Sequence, residues 1–242
     1  MIGPHFTQTH LIDYSMVDSE YNLKLSVLLR LMQNAATAHY ESLGVGRMKL
    51  ISEGFVFLLS KIALKVEKMP KADQTVTLTT WEYGVKGAYF IRNFAFATEN
   101  CENAVTAQTL WVAANPETHS IVRPTDFPHP VNANPTEVDV TAGKVSERGY
   151  EAERVETRTV RYSDIDCNGH VNNTVYADIC TDILFNHTGK VDVCEFEINY
   201  NRECKMGDEL KLTLSKSPTD QNEFVISGDF SDGTNSFKAR IS

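Results

Sequence analysis

Residues 162–176 read YSDIDCNGHVNNTVY, and residues 14–18 near the start of the chain repeat their opening as YSMVD. Both stretches have the pattern Tyr-Ser-x-(Val/Ile)-Asp, and each lies ahead of a segment with apolar residues at helical spacing. A repeat at this distance indicates that one structural unit occurs twice. The sequence therefore predicts two similar units in tandem, one built around each copy.

A helix with one buried face is predicted after each copy, because apolar residues recur there at intervals of three and four. After the first copy these residues are Leu25, Leu28, Leu29, Met32, Ala35, Ala36 and His39. After the second they are Val175, Ile179, Ile183 and Leu184. Each copy thus leads into one helix.

Strands are predicted around each helix from the alternation of apolar and polar residues. One strand precedes the helix of each unit, at residues 6–13 and 156–162. Four follow the first helix, at 56–66, 75–83, 89–97 and 105–113, and four follow the second, at 194–200, 209–214, 224–230 and 236–241. This pattern favours the α+β class, in which helix and sheet are segregated.

A proline-rich stretch separates the two units, and regular structure is hard to form there. It holds five of the eight prolines of the chain, namely Pro116, Pro124, Pro128, Pro130 and Pro135. We therefore predict a first unit at residues 1–117, a linker at 118–150 and a second unit at 151–242.

Charge and cysteine content exclude several classes of protein. The net charge of −9 disfavours nonspecific binding to nucleic acid or to an anionic membrane, because both attract a positive surface. The five cysteines have no Cys-x-x-Cys spacing, so neither a zinc site nor a disulfide framework is predicted. The longest apolar runs, among them residues 55–59, are too short to span a membrane. Because the N-terminus has no leader-like pattern, we expect a cytosolic, bacterial protein.

Two motifs in the second unit carry candidate catalytic residues. The first is Asp166-x-Asn168-x-His170 followed by Val-Asn-Asn, and the second is Tyr-Asn-Arg ahead of Glu203 and Cys204. Their separation, 203 − 170 = 33 residues, is what a helix and a returning strand require. In this order and spacing the motifs resemble the signature of acyl-acyl carrier protein (acyl-ACP) thioesterases.

The resemblance covers nearly the whole chain and implies a double hotdog fold, in which two units, each a long helix wrapped by an antiparallel sheet, form a pseudo-dimer. It implies hydrolysis of the thioester of fatty acyl-ACP to free fatty acid and holo carrier, without metal or other cofactor. The partner would be an acidic acyl carrier protein that docks on a Lys/Arg surface. The acyl chain would lie largely within the N-terminal unit, lined by its long helix and by residues 55–59.

Only the second copy has the reactive side chains. Residues 166–170 read DCNGH, whereas the matching residues 18–22 of the first copy read DSEYN and lack the histidine. Further along, an alignment of Asp73 with Asp208 places Lys68 and Met69 opposite Glu203 and Cys204. One site per chain is therefore predicted, carried mainly by the second unit.

Attack of water on a thioester needs a base and donors for the oxyanion that forms. The amide of Asn168 and the free N–H groups at the helix start near Asn172 and Asn173 can stabilise the oxyanion. Glu203 can deprotonate the water if burial makes it a stronger base, and His170 is the other candidate for base or acid.

Two further roles complete the predicted site. Asp166 would accept hydrogen bonds that orient the loop or the histidine. A rival mechanism makes Cys204 the nucleophile, activated by His170 with Asn168 as the third member. We rank water attack first because it needs no acyl-enzyme.

Each candidate also fits an ordinary structural role. Asp166, Asn172 and Asn173 suit turns or helix caps, Glu203 suits a solvated strand end, and Cys204 suits a small buried position. The joint occurrence of both motifs, rather than any single residue, favours catalysis.

Two residues of the first helix, Asn34 and His39, are candidates for substrate contact. His39 lies on the apolar stripe, so it also fits a hydrogen-bonded core position.

Three other functions stay open from the sequence. An acyl-CoA thioesterase uses the same chemistry on a nucleotide-bearing thiol, a hotdog dehydratase needs only a histidine and an acid, and a noncatalytic acyl-thioester-binding protein binds without turnover. The sequence does not decide the acyl chain length, the carrier docking surface, or whether the protein is a monomer or a homodimer.

Overall fold

The structure, a computed structural model, describes residues 5–118 and 120–242 of the chain. The chain forms two compact units, Met1–Ala142 and Gly143–Ser242. Each unit combines one long helix with an antiparallel sheet.

In the first unit, five main strands form one antiparallel sheet. They are β1 (His5–Leu11), β2 (Val56–Val66), β3 (Thr75–Lys86), β4 (Tyr89–Thr98) and β5 (Cys101–Ala114). Their order is β1-β3-β4-β5-β2, and the short strand β6 (Ile121–Val122) pairs with β5. A 3-10 turn at Tyr14–Met16 follows β1, and the helices are α1 (Leu25–Ser42) and α2 (Arg47–Ser52).

Helix α1 packs on β1 and β3 with the face that the sequence predicts. All the predicted stripe residues are buried, namely Leu25, Leu28, Leu29, Met32, Ala35, Ala36 and His39. Full burial of a leucine or methionine side chain contributes about 1.5–3 kcal/mol. The apolar stripe therefore fixes the helix on the sheet.

The second unit repeats this arrangement. Its strands are β7 (Glu151–Thr159), β8 (Glu195–Tyr200), β9 (Glu209–Lys216), β10 (Phe224–Asp229) and β11 (Asn235–Ile241), in the order β8-β11-β10-β9-β7. All neighbouring strands in this order are antiparallel. A 3-10 turn at Tyr162–Asp164 precedes helix α3 (Val175–Thr188), which packs on β9. The helix ends at Gly189, whose φ of +74° suits a residue without a side chain.

The predicted linker, residues 118–150, packs against the two units where the structure describes it. Before the unit boundary, the ring of Phe127 makes edge-to-face contacts with Phe57 and Phe90 of the first unit. After the boundary, the N–H of Val145 donates to Asn199 Oδ1 of the second unit at 2.8 Å. These residues therefore belong to the packed structure of one unit or the other.

The α+β class predicted from the sequence is confirmed. The main difference lies in β7, which begins at Glu151 and ends at Thr159, whereas the sequence predicts a strand at 156–162. Within its unit β7 pairs only with β9, and its residues are mostly exposed, so the apolar alternation that marks a strand is weak there. None of the described helices is long and apolar enough to cross a membrane.

A single added carbon should destabilise the second unit. A Cβ at Gly228 would overlap Cε1 of Phe237, a ring that is fully buried. We expect Gly228→Ala to lower the free energy of unfolding by about 1–3 kcal/mol, because the core must shift to make room. Urea unfolding followed by circular dichroism measures this change.

Gly143→Ala is the matched control, since, among the described residues other than its two chain neighbours, no heavy atom lies within 4 Å of a Cβ at that position. Equal stability of the two variants would show that the core around Phe237 relaxes without cost.

Candidate active site

The loop before α3 is a tight turn built on the carboxylate of Asp166. Its Oδ1 accepts the N–H of Asn168 at 2.8 Å, and its Oδ2 accepts the side-chain Nδ2 of Asn168 at 3.1 Å. The N–H of Asp166 donates to the carbonyl oxygen of His170 at 2.9 Å, which closes the turn. Gly169 has φ +78°, a conformation that glycine adopts without strain. The turn fixes the backbone of His170.

The turn brings His170 to Glu203, which lies just after β8. His170 Nδ1 is 3.1 Å from Glu203 Oε2. The loop is tied to this segment by the N–H of Val171, which donates to the carbonyl oxygen of Cys204 at 2.9 Å. The side chain of His170 is 28% exposed and that of Glu203 is 59% exposed. The two predicted motifs thus meet in one solvent-accessible site.

Asn172 and Asn173 lie between this turn and α3. Asn172 Oδ1 accepts both the N–H and the hydroxyl of Thr174 at 2.9 Å, so it stabilises the start of the helix. The carbonyl oxygen of Asn173 accepts the hydroxyl of Tyr200 at 2.9 Å. Asn172 therefore stabilises the helix start, and Asn173 ties it to Tyr200 at the end of β8.

Cys204 faces the core of the second unit. It is fully buried, and its Sγ is 2.9 Å from Ser236 Oγ, which in turn donates to the carbonyl oxygen of Arg202. Burial raises the pKa of the Cys204 thiol. A buried thiol with a raised pKa is a poor source of thiolate.

The first copy of the motif forms the same turn without the reactive pair. The N–H of Asp18 donates to the carbonyl oxygen of Asn22 at 2.9 Å, and Asp18 Oδ1 accepts the N–H of Glu20 at 2.9 Å. Asn22 therefore occupies the place of His170. The alignment of Asp18 with Asp166 holds in the structure.

The alignment further along the chain was wrong by one residue. The N–H of Leu23, the counterpart of Val171, donates to the carbonyl oxygen of Pro70 at 2.8 Å. Cys204 therefore lies opposite Pro70 rather than Met69, and its neighbours shift by one with it. Methionine and proline supply neither a carboxylate nor a thiol, so the first copy still lacks both groups.

A cavity of about 170 Å³ lies within the first unit. Helix α1 lines it with Ala36, Thr37 and Tyr40, and the segment at the start of β2 lines it with Phe55, Val56 and Phe57. Cavities of about 150 Å³ accept benzene in other proteins, so this one has room for roughly six carbon atoms. Most of its remaining lining is apolar.

Two buried charges interrupt this apolar lining. Glu82 on β3 and Arg92 on β4 are directly opposite each other, and Arg92 Nη2 is 3.9 Å from Glu82 Oε1. Tyr40 donates its hydroxyl to Glu82 Oε1 at 2.7 Å, and the N–H of Asn132 donates to Glu82 Oε2 at 2.8 Å. Burial, followed by the Glu82 charge, raises the pKa of Tyr40, which keeps its hydroxyl a donor.

His39 lies behind the ion pair, in the core of the first unit. Its Nδ1 is 3.0 Å from Arg92 Nη1, and its ring stacks on Phe6 with 5.5 Å between centroids. An arginine can only donate, so Nδ1 of His39 is the acceptor. Neither His39 nor the exposed Asn34 is among the residues that line the cavity, whereas Thr37 is.

The pairing of Glu82 and Arg92 in the cavity wall was not predicted from the sequence. The available signal was one charged residue within each of two strand-like runs, at 75–83 and 89–97. The charges only become a pair through the register of β3 and β4. In the described part of the chain, His, Cys, Asp and Glu side chains form no group of three or more that could hold a metal ion.

Comparison with protein families matches both halves of the chain. The model of the acyl-ACP thioesterase N-terminal domain matches residues 3–127, and the model of the C-terminal domain matches residues 147–242. This chain belongs to the acyl-ACP thioesterase family. The two motifs that carry the candidate catalytic residues lie in the half that matches the C-terminal domain.

Relatives of this thioesterase-family chain include a chloroplastic acyl-(acyl-carrier-protein) hydrolase of Cuphea viscosissima, which is 22% identical over 245 residues. The match covers 91% of this chain and 57% of that relative. This chain thus spans less than two thirds of the length of the curated relatives it matches.

Two solved structures share the fold over nearly the whole chain. An acyl-ACP thioesterase from Bacteroides thetaiotaomicron is 24% identical with a TM-score of 0.83, covering 98% of this chain and 97% of that one. A 12:0-ACP thioesterase from Umbellularia californica is 19% identical with a TM-score of 0.80, covering 100% and 98%. The double hotdog fold implied by the sequence is thereby confirmed.

Thiol labelling separates the two roles of Cys204. We expect iodoacetamide at pH 8 to modify the exposed Cys167 and Cys194 at least about tenfold faster than Cys204, because Cys204 is buried and its pKa is raised. Mass spectrometry of peptides from a time course measures each site. Modification of Cys204 as fast as Cys167 would indicate an accessible thiolate and favour the nucleophile mechanism.

The stability of the first unit should fall below pH 6.5 because of His39. Burial and then the nearby Arg92 charge lower the pKa of His39 from 6.5 to about 4. Between these values the unfolded chain binds a proton that the folded chain does not, so stability decreases as pH falls. Relative to His39→Gln, we expect the native protein to lose on the order of 2 kcal/mol between pH 6.5 and pH 4.5.

Tryptophan fluorescence in urea reports this transition, because Trp81 and Trp111 both lie in the first unit. If the free energies of unfolding of the native protein and of His39→Gln changed with pH in the same way, the attribution of the pH dependence to His39 would be contradicted.

Proposed function

We propose that this protein hydrolyses the thioester of fatty acyl-ACP to a free fatty acid and the holo carrier. The proposal rests on the contact of His170 Nδ1 with Glu203 Oε2 at 3.1 Å, beside the Asp166 turn, in a chain of this family. A histidine held by a carboxylate is a common means of activating water or a nucleophile.

His170 is the base in this mechanism. The carboxylate beside Nδ1 favours the tautomer with the proton on Nδ1, which leaves Nε2 as the acceptor. Nε2 takes a proton from water as the water oxygen bonds to the thioester carbon. It then returns the proton to the sulfur as the carbon–sulfur bond breaks.

Glu203 takes a positioning role in place of the base role considered from the sequence. That role required burial, and the Glu203 side chain is 59% exposed. Its carboxylate instead fixes the orientation and tautomer of His170.

The oxyanion would bind at the start of α3. The N–H groups of Asn172 and Thr174 donate within the loop, whereas the N–H of Asn173 has no acceptor among the described residues. We assign the Asn173 N–H as the main donor to the oxyanion. Asp166 and Asn168 hold the turn, and the Asn168 amide faces the Asp166 carboxylate.

Water rather than Cys204 is the nucleophile in this proposal. The thiol is buried beside Ser236 and its pKa is raised, so it serves the packing of the second unit.

The apolar chain of the substrate would bind in the first unit's cavity, whose lining is mostly apolar. The carrier as partner, the cytosolic location and a monomeric or homodimeric state stay predictions from the sequence.

Hydrolysis of acyl-ACP thioesters by the native protein and three variants tests the proposal. We expect His170→Ala to lower kcat by about 10²–10⁴-fold, because it removes the base. Glu203→Gln should lower kcat by about tenfold or more with little change in KM, since it acts through His170. Cys204→Ala should keep kcat within about tenfold of native.

Each variant is compared with the native protein by circular dichroism to confirm folding. Loss of activity in Cys204→Ala with activity retained in His170→Ala would contradict the water mechanism. Turnover of acyl-CoA but of no acyl-ACP would contradict the assigned substrate.

A further inference from the structure

The first unit's cavity has a polar wall in an otherwise mostly apolar lining. The wall consists of Glu82, Arg92 and Tyr40, which are joined by an ion pair and a hydrogen bond. Extending the function proposed above, we infer that this wall closes the acyl-chain cavity and sets the longest chain that the cavity accepts.

The wall belongs to the buried part of the cavity lining. Glu82 and Arg92 are only 5% and 4% exposed. Another charged lining residue, Arg47 at the start of α2, is exposed. In this inference the acyl chain enters beside Arg47 and ends at the buried charges.

The wall is rigid because three elements fix it. The register of β3 and β4 sets Glu82 opposite Arg92, and α1 brings Tyr40 to the same carboxylate. The Arg92 guanidinium also lies over the Tyr40 ring, with 5.1 Å from Cζ to the centroid. The N–H of Asn132 donates a hydrogen bond to the second carboxylate oxygen of Glu82. Displacing any one of these residues would leave a buried charge without one of its partners.

The limit on chain length is sharp because one more buried methylene improves binding less than breaking a hydrogen bond of the wall weakens it. Burying one more methylene improves binding by about fourfold. Losing a hydrogen bond to a buried charge weakens it on the order of 10- to 100-fold. A chain that is too long by one or two carbons therefore does not open the wall.

Free fatty acids test this limit without depending on turnover. Binding of saturated fatty acids of increasing length is measured by titration calorimetry for the native protein and for the double variant Glu82→Leu/Arg92→Met. Both charges are removed together, because removal of one leaves the other buried and unpaired. In the native protein we expect affinity to rise with length and then fall about tenfold beyond a limit. In the variant the limit should move to acids longer by about two carbons.

Two further variants control the experiment. Lys65→Met/Asp139→Asn removes an ion pair of the same unit that does not line the cavity, and it should keep the native limit. Ala36→Val adds volume inside the cavity and should move the limit to shorter acids. If the wall variant does not fold, Tyr40→Phe is used in its place. This substitution removes only the hydrogen bond to Glu82, and it should make the fall in affinity beyond the native limit smaller.

An unchanged limit in the folded wall variant would overturn the inference, and so would a native protein that binds no fatty acid. Acyl-ACP hydrolysis is measured on the same native sample. Hydrolysis with an unmoved limit refutes the wall alone, whereas a moved limit without hydrolysis refutes the proposed function alone.

Discussion

The hydrogen bond from the Val171 N–H to the Cys204 carbonyl oxygen is the constraint on which the candidate site depends. It joins the Asp166 turn to the segment after β8, and each reactive side chain belongs to the residue just before one partner of this bond. His170 and Glu203 are therefore brought together by backbone geometry. Because the backbone holds both residues, this partly exposed pair keeps a defined distance.

In the first unit the same backbone arrangement occurs without the candidate catalytic side chains. The same bond joins Leu23 to Pro70, and the same Asp-based turn precedes it, yet no histidine or carboxylate occupies the reactive positions. Tyr21 even takes a φ of +63° where Gly169 has +78°. That conformation costs a residue with a side chain roughly 1–2 kcal/mol, so the packing of the first unit around the turn offsets this cost. In the proposed mechanism, catalysis depends on which side chains the turn carries.

Local patterns in the sequence predicted the two long helices α1 and α3, most strands and the meeting of the two motifs, because each depends on spacing along the chain, whereas the short helix α2 was not predicted. The stripe on α1 and the turn at Asp166 are examples. Register and exposure are set by tertiary packing and were not predictable in this way. The one-residue error at Pro70 was a matter of register, and the base role considered for Glu203 depended on a burial that the fold does not provide.

The pairing of Glu82 with Arg92 is another feature that tertiary packing sets and local sequence patterns do not predict. In the sequence each is a single charge in a strand, and only strand pairing turns them into a buried ion pair. Such a pair is a weak source of stability, because replacing both partners by apolar residues is often neutral or stabilising by about 1–4 kcal/mol. Removing one partner costs about 3–5 kcal/mol, so the two residues act as a unit. A charged pair that adds little to stability, in a cavity otherwise suited to an apolar ligand, is better explained by what it excludes from the cavity than by what it adds to the fold.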